Sequence, residues 1–123
     1  MNKITDFHEL EVYRLAEDLA NWVYDVTDKF PSEEKYGLVS QLRRAAISIG
    51  GNLAEGFGRY FFKENKLHCY YARGSLLEVR SYLLFSRRRG LITQEQHDQF
   101  ENDYIKLKVK LNNYILSIGR SGP

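Results

Sequence analysis

Apolar residues recur along this chain at intervals of three and four, the spacing that stacks side chains on one face of an α-helix. The first run is Val12, Leu15, Ala16, Leu19, Trp22, Val23, Val26 and Phe30, with Asp18, Asp25 and Asp28 falling off the stripe. Asp6, followed three residues later by Glu9, is a variant of the capping box. The pattern therefore predicts a helix over about 7–30, stopped by Pro31. A second helix is predicted over about 32–56. Pro31 suits its first turn, Glu33 and Glu34 favour the positive end of its dipole, and Leu38, Leu42, Ala45, Ile49 and Leu53 form its stripe. Gly50-Gly51 interrupts that stripe at a cost of about 1 kcal/mol per glycine relative to alanine, so a kink or a close helix contact is expected there.

Gly56-Phe57-Gly58 reads as the turn into a third helix, over about 62–89, which Gly90 ends. This helix has two apolar faces. One holds Leu67, Tyr70, Tyr71, Gly74, Leu77, Leu84 and Phe85, and the other Ala72, Leu76, Val79 and Leu83, so it is expected to touch more than one neighbour. A fourth helix, over about 94–118, opens on Thr93 and Gln96 as a capping pair, with Ile92 just ahead. Its stripe, Phe100, Tyr104, Leu107, Leu111, Tyr114 and Ile118, keeps a four-three repeat that fits near-antiparallel packing. Pro31 and Pro123 are the only prolines and β-branched residues are scattered, leaving little from which to build strands. The reading is all-α: an antiparallel up-down four-helix bundle, one domain over 1–123.

Hydrophobic residues at 43% and charged residues at 28% make a globular balance, unlike that of a disordered chain. Cys69 stands alone, which excludes an intramolecular disulfide and a cysteine-rich zinc site. The first residues show no basic stretch followed by an apolar run, and no segment nears the ~20 apolar residues of a membrane span, so a cytoplasmic protein is expected. The net charge of +2 conceals an uneven distribution. Residues 1–34 hold three basic and nine acidic side chains, residues 35–90 hold eleven basic and three acidic, and the remainder balances. Acidic and basic segments of this kind complement each other and not themselves. A homo-oligomer with head-to-tail contacts, a ring, follows more naturally than a two-fold dimer.

The motifs for catalysis are missing. There is no Glu-x-x-His of a di-iron bundle, no Gly-x-Ser-x-Gly elbow and no phosphate loop ending in Gly-Lys-Ser/Thr. Glu64 and His68, four apart, read as a solvated pair sooner than as metal ligands. The expectation is a binding protein, not an enzyme, with no cofactor and no metal. A polar stripe on the second helix, Gln41, Arg44, Ser48, Asn52, Glu55 and Arg59, runs beside the apolar one, with Arg43 adjoining it. Ser75, Glu78 and Arg73 lie on a neighbouring strip of the third helix. These groups read either as a site in which Arg44 and Arg59 hold phosphate while Asn52 and Glu55 orient the partner, or as a half-buried network in which Glu55 or Glu78 neutralises Arg44. The available carboxylates favour the network. Arg59-Tyr60-Phe61-Phe62-Lys63 sets aromatics between cations, which suits stacking on bases or packing at an interface. Arg87-Arg88-Arg89 suits an anionic partner and also the negative end of its own helix.

Glu34-Lys35-Tyr36-Gly37-Leu38, Gln41-Leu42-Arg43-Arg44-Ala45-Ala46-Ile47-Ser48-Ile49, Asn52-Leu53-Ala54-Glu55-Gly56-Phe57-Gly58-Arg59 and Ala72-Arg73-Gly74-Ser75-Leu76-Leu77-Glu78 resemble, in order, the sequence blocks of the 23S rRNA intervening-sequence proteins, also called the S23 ribosomal or four-helix-bundle family. The chain departs from the family pattern at Gly50, where proline is usual, at Val79-Arg80-Ser81, where an acidic run is common, and at Tyr60-Phe61-Phe62. The resemblance implies a four-helix bundle that assembles as a ring, with pentamers the associated form. The family name records the position of its reading frames within ribosomal RNA genes. Residues and resemblance together lead to a non-enzymatic binding protein. It is expected to associate with RNA or a ribonucleoprotein through its basic second and third helices. Arg43, Arg44, Asn52, Glu55, Arg59, Tyr60, Lys63, Arg73, Arg87, Arg88 and Arg89 are the candidate binding residues. The alternative is an oligomeric protein-interaction scaffold with no nucleic-acid role.

Overall fold

The four apolar stripes become four helices in the computed structural model, which describes residues 3–119: α1 (Glu11–Thr27), α2 (Ser40–Phe57), α3 (Phe62–Arg88) and α4 (Gln94–Ser117). The all-α class stands. Its core is the sum of the stripes: Val12, Ala16, Leu19, Val23 and Val26 from α1, Leu42, Ala45, Ile49 and Leu53 from α2, and Phe100, Tyr104, Leu107 and Leu111 from α4, all buried. Leu15, Trp22, Leu38 and Tyr114 pack partly buried at its edge.

Neighbouring helices meet in opposite senses along their lengths. On α2 and α3, Arg44 meets Glu78, Ser48 meets Ser75 and Asn52 meets His68. Arg80 pairs with Glu101 and Arg73 with Asn112 between α3 and α4. Between α1 and α4, Trp22 stacks on Phe100 while Lys110 reaches Glu11. In each series the numbers rise on one helix as they fall on the other, so adjacent helices run antiparallel.

Helix ends depart from the sequence expectation in instructive ways. The Asp6–Glu9 capping box forms, but it caps a single 3-10 turn, Phe7–Glu9, and α1 itself starts after the extended Leu10. The first helix also ends early, because after Thr27 the chain tightens into i→i+3 hydrogen bonds, Lys29 to Val26 and Phe30 to Thr27. The segment after Pro31 is a 3-10 turn, Ser32–Glu34, followed by a π turn, Lys35–Val39, so the regular part of the second helix starts eight residues later than expected. The Thr93–Gln96 capping box forms as expected on α4. Behind it, Gly90 takes φ +75° and closes α3, with its N–H donating to Arg87 O and Leu91 N–H to Ser86 O.

At Gly50-Gly51 the close contact, one of the two expected alternatives, is what forms: α2 runs on as one helix over Ser40–Phe57, and a Cβ at Gly50 would sit 3.2 Å from the Tyr13 ring. The expectation for Gly56 needs revision. Gly56 is not part of the turn. It lies buried inside α2, where a Cβ would stand 2.8 Å from His68 Cβ and 3.0 Å from the Asn65 carbonyl oxygen. The backbones of α2 and α3 are this near only because Gly56 has no side chain.

The third helix touches more than one neighbour, as expected, but with only one of its two apolar faces. Ala72, Leu76, Val79 and Leu83 are buried with Cys69, whereas Leu67, Tyr70, Tyr71, Leu77, Leu84 and Phe85 are exposed. α3 meets both α2 and α4 with its one inner face.

Gly56→Ala should lower stability by about 1–3 kcal/mol, since the new methyl would meet, besides the Asn65 side chain, the His68 Cβ and the Asn65 carbonyl oxygen, which cannot yield without a shift of the helix. Gly51→Ala meets nothing within 4 Å and should raise stability by about 0.5–1 kcal/mol. Urea unfolding of the two variants should therefore move in opposite directions.

Candidate nucleic-acid interface

The polar stripe of α2 faces α3 and is engaged there. Arg44 donates to Gln41 Oε1 (3.1 Å) and to Glu78, whose Oε2 also accepts from the Tyr82 hydroxyl at 3.0 Å. One turn on, the Ser48 and Ser75 hydroxyls lie 2.7 Å apart, and Asn52 Nδ2 donates to the Ser48 carbonyl at 2.9 Å. Asn52 Oδ1 in turn lies 3.3 Å from His68 Nδ1. Of the two carboxylates that could neutralise Arg44, Glu78 does so. Glu55 pairs with Arg59 at 3.0 Å on the surface, an i,i+4 pair worth about 0.3–0.5 kcal/mol.

Arg43 is turned the other way, toward α1. Its Nε donates to Thr27 Oγ1 at 3.0 Å, one Nη donates to the Tyr24 carbonyl at 3.3 Å, and the guanidinium lies 4.4 Å from the centre of the Tyr24 ring. It thus satisfies a carbonyl at the negative end of α1, a position that favours a cation. Arg73, expected near the α2 network, points to α4 instead, donating to Asn112 Oδ1 at 3.1 Å with its guanidinium 5.0 Å from the Tyr70 ring.

The remaining candidates sit at the two ends of α3. At its start, Tyr60 is 89% exposed and Phe61 62% exposed, their rings edge to face at 5.0 Å, between Arg59 and Lys63. Lys63 and Lys66 border an open depression with Leu67 and Tyr70. Lys66 was not among the candidates, although its spacing of three from Lys63 and four from Tyr70 marks one helix face. At the far end Arg87 donates to Gln94 Oε1 at 3.1 Å, while Arg88 and Arg89 are exposed and, among the described residues, make no side-chain hydrogen bond or ion pair. Lys63 and Arg88 are twenty-five residues apart on one helix, a rise of about 37 Å at 1.5 Å per residue. The eleven candidates are therefore three groups: a basic aromatic turn, an internally satisfied waist, and an arginine cluster at the opposite end.

Other chemistry-bearing groups are quiet. Among the described residues, no three His, Cys, Asp or Glu side chains gather to hold a metal ion, and no helix is long and apolar enough to cross a membrane. His97 Nε2 is buried 3.4 Å from Glu101 Oε1, within ion-pair distance but off hydrogen-bonding geometry, and that carboxylate is held by Arg80 Nε at 3.2 Å. Burial pushes the Cys69 thiol up to about 11, and burial also raises Tyr114 above its ordinary value.

An antiparallel helical bundle with exposed cations and aromatics at its ends places the chain in the class of small all-α bundle proteins. The particular family follows from sequence: the family model described as "23S rRNA-intervening sequence protein" matches residues 8–113, and the chain belongs to that family. Among solved structures it is similar to a protein of unknown function from the S23 ribosomal protein family of Bacteroides thetaiotaomicron. The TM-score is 0.77 and the identity 22%, over 85% of this chain and 97% of that one. At that identity the likeness establishes the fold alone. No curated protein matches the chain.

Arg44→Met should lower stability by about 0.5–1 kcal/mol and no more, because the Arg44–Glu78 pair is half exposed. A double-mutant cycle with Glu78→Gln should return a coupling of that size. A second outcome concerns alkaline pH. A thiol that ionises near pH 9 when unfolded and near 11 when folded makes the unfolded state lose its proton first. Stability is then retained below pH 9 and falls between 9 and about 11. Cys69→Ala should flatten that decline in urea titrations at stepped pH.

Proposed function

We propose that this protein binds RNA, or a ribonucleoprotein, without catalysis and as a homo-oligomer, and that the basic aromatic turn between α2 and α3 makes the contact. The carrying observation is the exposure of Tyr60 and Phe61 between Arg59 and Lys63. Exposed rings are costly to hold in water unless a partner covers them, and a base offers a π-face of matching size while the neighbouring cations meet phosphate. Family membership adds a link to ribosomal RNA, through a name that marks 23S rRNA.

Intramolecular hydrogen bonds occupy Arg43, Arg44, Asn52 and Arg73, which supports a narrower reading on Tyr60, Phe61, Lys63 and Lys66, joined by Arg59 when it exchanges its weak surface pair with Glu55 for phosphate, and with Arg88 and Arg89 as a second, distant cation cluster. Such contacts follow the backbone and stack on any base, so sequence selectivity should be weak. The homo-oligomer is supported by the acidic and basic halves of the chain. The scaffold reading, in which RNA plays no part, draws on a different observation: the exposed apolar face of α3, which suits a protein surface better than a nucleic acid.

Fluorescence anisotropy with a labelled single-stranded RNA should show affinity that falls steeply from low to physiological salt. Tyr60→Ala should weaken it by about 1–3 kcal/mol, Lys63→Gln should reduce the salt slope by about one phosphate contact, and Arg44→Met should leave both unchanged. No binding at low salt overturns the RNA reading. Binding lost on Arg44→Met, but not on Tyr60→Ala, moves the site to the waist.

A further inference from the structure

α3 carries two heptad seams on opposite sides. The inner seam, Cys69, Ala72, Leu76, Val79, Leu83 and Ser86, is buried in the bundle. The outer seam, Leu67, Tyr70, Gly74, Leu77, Ser81 and Leu84, repeats with the same alternation of three and four, two residues out of step, which places it about 200° round the helix. It lies in solvent, Leu77 at 51% exposure and the flanking Phe85 at 54%. With half of each large side chain uncovered, the seam offers on the order of 500 Å² of apolar surface, at the upper end of the ~300–600 Å² of a monomer's largest patch, which is often a functional one.

On another flank of the bundle, α1 and α2 leave a groove of about 280 Å³. Its floor is Ala16, Ala20, Ala46 and Gly50, residues with little or no side chain, and Tyr13 and Ile47 rim it. We propose that the outer seam of α3 seats in the α1–α2 groove of a second copy of this chain. The inference rests on the homo-oligomer reading above and specifies the surfaces that assemble.

Shape and charge both select this pairing over its rivals. A ridge of Leu and Tyr side chains needs a partner surface without protruding side chains, and the groove floor is one. Of the acidic residues of α1, Glu17 lines the groove, while Glu11 is turned to Lys110 of α4 and Asp18 lies beside Asp103 and Lys106. α3 holds six basic residues against Glu64 and Glu78, a net of +4. Seam against groove sets that positive excess beside Glu17, whereas seam against seam about a two-fold axis sets +4 against +4. The apolar seam with its charged margins approaches the roughly 800 Å² per partner of a stable interface. Seam and groove are different surfaces on different flanks, so each copy offers one to the next and repetition turns through an angle, which is the geometry of a ring.

Cross-linking through introduced cysteines tests the pairing, because Cys69 is buried and does not compete. The double variant Ile47→Cys with Leu77→Cys, treated with a short bismaleimide, should give a ladder of covalent multimers, and each single variant should give none. Leu77→Asp, a change at an exposed position, should convert the assembly to monomers in sedimentation while keeping the melting transition. Dimers from Leu77→Cys alone would establish seam-to-seam packing and overturn the proposal. An assembly that survives Leu77→Asp and yields no Ile47–Leu77 ladder would overturn it too, while leaving the homo-oligomer in place. A wild-type protein that sediments as a 14.4 kDa monomer at micromolar concentration would remove both.

Discussion

The near contact of α2 and α3 at Gly56 is the constraint from which the rest of the bundle follows. With no side chain at that position, the α2 backbone can approach Asn65 and His68 closely. The polar groups further along then fall into register: Asn52 beside His68, Ser48 against Ser75, Arg44 against Glu78. Each satisfied pair removes a cost that a sliding or rotated α3 would incur, because a half-buried hydroxyl or amide without a partner is expensive. The register also decides which side of α3 looks inward. Once Ser75 and Glu78 are committed to α2 and Arg73 and Arg80 to α4, the strip from Leu67 to Phe85 has nowhere to go but outward.

That logic explains how much could be read from sequence. Stripes with one clear apolar side, such as Val12–Val26 and Phe100–Leu111, located α1 and α4, and the Thr93–Gln96 box located the start of α4. The Arg44–Glu78 contact was one of two foreseeable pairings, because the sequence offered Glu55 and Glu78 as carboxylates within reach of a partly covered cation on α2. The orientation of α3 was not. Both of its faces are apolar, and periodicity counts hydrophobic positions without measuring how near another backbone will come. The sizes held the answer: Cys69, Ala72, Val79 and Ser86 fit a tight interior, while Tyr70, Tyr71 and Phe85 do not. Gly56 and the π turn at Lys35–Val39 escaped for a related reason, since glycine signals a turn and a close approach with the same letter, and a π turn changes hydrogen bonding without changing the stripe.

The candidate interface was legible as residue types and illegible as a place. Eight of the eleven candidates are cations suited to an anionic partner, yet Arg43 serves the end of α1 and Arg73 serves α4, while Lys63 and Arg88 stand at opposite ends of one long helix. Composition cannot separate a cation that holds the fold from one that awaits a partner. The hydrogen bonds separate the arginines held against α1, α3 and α4 from the turn around Tyr60, where exposed rings stand beside Lys63 and an Arg59 paired with Glu55.

The order of helices in space repeats their order along the chain, with α1 and α4 the one adjacent pair that is remote in sequence. Most of the loops that folding must close are consequently short, and low contact order places such bundles among the microsecond-to-millisecond folders. Each chain would therefore complete its own core long before it meets another at cellular concentrations, so encounter, a second-order event, sets the pace of any assembly. Expression level then becomes the variable that decides whether the outer strip of α3 spends its time bare or covered.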